Sequence, residues 1–129
     1  MIFTIPGQLY SSKNSRQVFR AANGRTYVVK SEAAKTDEVE LFNKLLCIKQ
    51  KFRTVAKRFA KPYHIRFKIY RKTAGRFDYV NIIQNLCDSM VKAGLLDDDN
   101  ANNLLPVFDE YEVDREKPRV EFEIIGKSL

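Results

Sequence analysis

The 129-residue sequence has one histidine and two cysteines. Cys47 and Cys87 lie far apart, and neither falls in a Cys-x-x-Cys or Cys/His spacing. That excludes a zinc site and a disulfide-rich secreted scaffold. Both sit among apolar neighbours in helical patterns, so buried, reduced thiols are expected, as in a cytoplasmic protein. His64 has no second histidine to work with and reads as a surface or partner-bonded strand residue. No apolar run reaches the ~18 residues that a membrane helix needs. The start, Met-Ile-Phe-Thr-Ile-Pro, has neither a charged n-region nor a long apolar h-region, so no secretory signal is expected. No internal repeat marks a solenoid. Acid is scarce in the first part of the chain, where residues 1–76 carry 18 Lys and Arg against 4 Asp and Glu.

The rest of the composition is that of a folded domain. Hydrophobic residues make up 44% and charged residues 30%, and the length suits one domain over 1–129. The net charge of +7 and a pI near 9.5 favour a polyanionic partner. The charge is divided, however, because residues 77–129 carry 5 basic and 12 acidic side chains. A basic part followed by a carboxylate-rich part points to phosphate binding joined to a use of acid groups, including metal ligation. Two oppositely charged faces that keep the domain soluble are the alternative.

Along the chain, residues 2–5 read as a short strand ended by Pro6, and 7–25 as a basic loop with a turn at Asn23-Gly24. Thr26 to Val29 reads as a strand. Ser31 is placed to cap a long helix whose stripe is Leu41, Leu45, Ile48, Phe52, Val55 and Phe59, ended before Pro62. Residues 63–71 alternate, with Tyr63, Ile65, Phe67 and Ile69 on one side and His64, Arg66, Lys68 and Tyr70 on the other. Asp78 precedes a second helix with Ile82, Ile83, Leu86, Met90 and Val91 on its core face, and Gly94 stops it. Residues 104–113, with Pro106, suit an edge strand. Val120, Phe122 and Ile124 define a last strand. The order β-β-α-β-α-β-β predicts an α/β (α+β) domain with a mixed sheet.

Carboxylates gather at two boundaries, Asp78 at the second helix's start and Asp97-Asp98-Asp99 past its end. About sixteen residues of helix separate the two ends by ~24 Å, so the triplet must fold back along the helix if one metal is to meet both. Magnesium takes oxygen ligands and keeps several waters, so two or three carboxylates suffice, and a bound ion orients a phosphodiester and activates water. The structural alternatives are an N-cap at Asp78 and a solvated turn at the triplet.

The run from Arg76 through Asp78, Asn81, Gln84, Asp88, Lys92 and Gly94 to Asp97-Asp98-Asp99 resembles the RusA family of Holliday-junction resolvases. That family's core reads Asp-x-Asp-Asn with Lys three residues on, then a helix, Lys-Ala-Gly and a pair of aspartates. An early strand, the loop Ser12-Lys13-Asn14 and Gly24-Arg25-Thr26-Tyr27-Val28 before a long helix extend the resemblance over most of the chain. It implies a small homodimeric endonuclease of phage or prophage type, dependent on Mg2+ (or Mn2+), that nicks four-way DNA junctions. It implies metal ligation by Asp78, Asp99 and Asp98, with Asn81 and Gln84 at further catalytic positions. Two positions depart from the family: Val80 stands where it has an aspartate, and Gln84 where it has the lysine. Gln cannot neutralise a phosphate. Asp97 or Asp98 is a candidate replacement for the lost carboxylate, since the triplet has one acid more than the family pair. The departures open an alternative, a RusA-like protein that binds branched DNA with weak or no cleavage. A basic RNA-binding module is the reading from another class. The expected phosphate contacts are Lys13, Asn14, Arg16, Arg20, Arg25, Arg66, Lys68, Arg71, Lys72 and Arg76, which makes binding weaken steeply with salt.

Overall fold

A computed structural model describes residues 1–10, 16–20, 22–30, 32–126 and 129, with backbone alone at 16–19 and 27–30. Its elements are β1 (Phe3–Pro6), β2 (Arg16–Arg20), β3 (Thr26–Lys30), α1 (Glu32–Ala56), β4 (Tyr63–Arg71), α2 (Tyr79–Ala93), β5 (Leu104–Phe108), β6 (Glu112–Val113) and β7 (Arg119–Ile124). The expected α+β domain with a mixed sheet and two helices is the one observed. Two strands are additional. β2 forms inside the basic stretch because it pairs antiparallel with β3 across the Asn23-Gly24 turn, where Gly24 takes φ 83°. β6 is two residues long and pairs with the end of β4. Ser31 lies outside the described residues.

The main sheet runs β1-β7-β4-β5, and β6 continues β5's line along the same side of β4. β4 and β5 are parallel, so the chain must cross over between them, and α2 is that crossover. β7 runs antiparallel to both β1 and β4. Strand alternation buries Phe3 and Ile5, Ile65, Phe67 and Ile69, and Val120, Phe122 and Ile124 on one face, which the two helices cover. Phe52 of α1 meets Phe3 at 5.3 Å and Phe122 at 6.0 Å between ring centroids. The helix ends at Ala56, so Phe59 completes the apolar stripe from just beyond it.

Three details follow from periodicity. Cys47 is exposed rather than buried, because two residues past Leu45 a helix has turned by about 200°. Arg71 shares the inward parity of Ile65, Phe67 and Ile69, and it is buried at the end of β4. Tyr63 donates its backbone N–H to the Asn103 carbonyl, and Asp109 donates to that of Phe67. Odd-numbered residues of β5 therefore bond to β4 and even-numbered ones face outward. Pro106 stands at an outward position with no N–H to offer, which blunts the sheet edge.

Candidate nucleic-acid interface

β4 leads through residues 72–77 into α2, and this junction holds both kinds of charge that the sequence singled out. α2 starts at Asp78, whose carboxylate accepts the Asn81 backbone N–H at 3.1 Å. It stops at Gly94, which takes φ 85° and donates to the carbonyls of Met90 and Val91. The capping role of Asp78 is thus present, and Asn81 is buried in the first helical turn. Gln84 and Asp88 are exposed on the same helix.

The predicted cations divide into two groups. Arg66 and Lys68, on the open face of the sheet, are already matched by carboxylates. Arg66 is paired with Glu123 and lies 3.8 Å from Asp109. Lys68 donates to Glu112 at 2.9 Å, and that hydrogen bond pushes its ammonium up from the ordinary lysine range. Opposing acids on β6, β7 and the Asp109 turn thus lie beside both of these cations. Arg71, Lys72 and Arg76 have no carboxylate partner among the described residues. The Lys72 backbone N–H donates to Gln8 Oε1 at 2.7 Å, which ties the segment to the chain after β1. Lys72 and Arg76 are exposed. Arg20 and Arg25, at the β2–β3 turn, are exposed and likewise lack a carboxylate among the described residues. Lys13 and Asn14 lie outside the described residues, and so does the side chain of Arg16.

Arg71 is the member that the sequence places least well. It is 7% exposed, and Nη1 donates to the Leu9 carbonyl at 3.2 Å. Its Nε has no hydrogen-bond partner among the described residues. The guanidinium carbon sits 4.4 Å from the centre of the Phe77 ring, which packs edge-to-face with Tyr111 at 4.8 Å between ring centroids. Burial lowers the Arg71 pKa, and the nearby Tyr10 and Tyr111 act against that shift. Tyr79 closes the base of this cluster. Its hydroxyl lies 2.6 Å from the Asp109 carbonyl and 3.0 Å from that of Phe67, and burial pushes the phenol up to about 12. No model of a known protein family matches the chain. A comparison with curated proteins finds no match either.

The late carboxylates do separate work. Asp97 pairs with Lys61 at 2.5 Å and lies 3.7 Å from Arg53, and the Lys61 hydrogen bond holds its carboxyl below the usual range. This pairs one of the two acids, Asp97 and Asp98, that the sequence offers in place of Val80. Asp98 accepts the Asp99 backbone N–H at 2.7 Å and the Asn100 amide at 3.2 Å. Burial pushes the Cys87 thiol up to about 12, and the Asp99 and Asp88 carboxylates add to that shift. Among the described residues, no three His, Cys, Asp or Glu side chains come together to hold a metal ion. Asp78, Asp98 and Asp99 are thus not gathered into one three-carboxylate cluster.

Proposed function

We propose that this chain is a nucleic-acid-binding domain, RusA-like in its sequence pattern, that holds branched DNA such as a four-way junction. One observation carries the reading: the cations at 71, 72 and 76 have no carboxylate partner among the described residues, whereas Arg66 and Lys68 are paired. Unpaired cations beside one another are what a phosphate backbone requires, and they carry shape recognition rather than a base code. The protein acts in the cytoplasm, as a homodimer of prophage type, since a two-fold protein matches the symmetry of a four-way junction. No helix among the described residues is long and apolar enough to cross a membrane.

A second reading, junction cleavage with Mg2+ or Mn2+, is supported by the RusA-like placing of Asp78, Asp98 and Asp99 in the sequence. It is the weaker one, because Val80 and Gln84 remove a carboxylate and a cation from the RusA-like pattern and Asp97 is held by Lys61. Fluorescence anisotropy with a labelled four-way junction tests the main reading, with linear duplex and structured RNA as competitors. The junction should bind more tightly than either competitor and remain intact with either metal. Preference for RNA or linear duplex would overturn the reading. Symmetric nicking with either metal would establish the second reading instead.

A further inference from the structure

We propose that Arg71, buried at the end of β4 beside the Phe77 ring, is the seat of a single phosphate group. The chemistry rests on the buried guanidinium, and the carrier, a nucleic-acid backbone, rests on the function proposed above.

An arginine presents five N–H donors in a rigid fork. At Arg71 one of them is taken by the Leu9 carbonyl, and the Nε–H is left without an acceptor among the described residues although the residue is 7% exposed. Buried polar groups are almost always paired, so an orphan of this kind calls for an explanation. The neighbouring acids do not supply one. Asp109 lies beside Arg66, Glu112 bonds Lys68, and Asp114 bonds Arg119. Each carboxylate on the adjoining 109–114 segment that pairs with a cation pairs with a different one.

The fork is also held still. The backbone of Arg71 pairs with Val113, and its carbonyl accepts the Asp114 N–H at 2.7 Å. The Phe77 ring lies beside the guanidinium and is braced by Tyr111. Tyr10 and Tyr111 are exposed, and both phenols bear on the Arg71 charge. A phosphate group offers acceptor oxygens for the donors of the fork that the described residues leave free.

The test is the arginine Nε–Hε region of a proton–nitrogen NMR spectrum of the full chain. The probes are inorganic phosphate at constant ionic strength and, separately, a four-way DNA junction. The Arg71 signal, identified by its loss in Arg71→Lys, should move downfield with phosphate and saturate, and it should move the same way with the junction. Arg71→Lys should weaken phosphate binding about tenfold or more, the size of one lost charge-assisted hydrogen bond. The wild-type titration stands whether or not the variant folds. An Arg71 signal unmoved by phosphate overturns the seat, even if DNA still binds elsewhere on the chain. A signal that responds to phosphate in a protein that binds no DNA upholds the seat and overturns the nucleic-acid carrier.

Discussion

Replacing Arg71 with methionine separates a buried cation kept for a ligand from one kept for stability. Breaking a buried ion pair costs about 3–5 kcal/mol, because the surviving charge is stranded. Arg71 strands nothing, since no carboxylate among the described residues pairs with it. What the substitution removes is the Nη1 bond to the Leu9 carbonyl, worth about 1 kcal/mol, and the contact with Phe77, worth about 1 kcal/mol. What it relieves is the orphaned Nε–H, which costs about 1–3 kcal/mol. The Leu9 carbonyl is only partly buried and can turn to water. The net change should lie within about 1 kcal/mol of zero. For 129 residues, an unfolding entropy of about 2.1 cal/mol/K per residue makes 1 kcal/mol worth ~4 °C in Tm. Thermal unfolding of Arg71→Met without ligand should therefore fall within ~4 °C of wild type, while junction binding drops. A Tm loss beyond ~10 °C would refute the reasoning and reveal a buried pair.

Three other outcomes follow. Asp78→Ala should lose about 1 kcal/mol, or ~4 °C, through its N-cap, while Asp78→Asn, an equally good cap, should hold Tm within ~2 °C. Equal losses in a thermal melt would contradict the cap. A thiol reagent should label Cys47 at once and Cys87 only on unfolding, because Cys87 is buried and its thiol is pushed up to about 12. Asp97 is held below the usual carboxylate range by Lys61, and Asp114 by the Lys117 backbone N–H and then by Arg119. Depressed carboxyls stabilise the fold above their unfolded pKa of about 3.9, and that contribution is lost as pH falls through the folded values. Melts from pH 6 to pH 2 should show wild type above Asp97→Asn at pH 6, with the two converging at pH 2.

Alternation and stop signals made most of the fold legible. β4 was readable to the residue, α2 from its cap to Gly94, and β7 from Val120, Phe122 and Ile124. β2 and β6 were not, because each exists through pairing with a partner strand and not through its own pattern. Arg71 was half legible. Its odd position in β4 marks it as inward-facing, but its charge argues for the surface, and period and polarity give opposite answers there. The division among the cations was hidden for another reason. Which acid meets Arg66 or Lys68 depends on β7 and β6 lying beside β4, a contact across some forty to sixty residues. The carboxylate site shows the same limit. The extra acid of the triplet offers Asp97 or Asp98 as a replacement ligand, and Lys61, brought close by the fold, pairs with Asp97.

The central claim is that unpaired cations at the end of β4, and not the paired ones on the sheet face, hold phosphate. The salt dependence of four-way junction binding tests it most directly, measured for wild type, Lys72→Gln/Arg76→Gln and Arg66→Gln/Lys68→Gln. Each lost phosphate contact should flatten the slope of log K against log salt by about 0.9. The account predicts a slope flatter by roughly two for the first pair and little change for the second. The reverse order, or equal effects from both pairs, would contradict it.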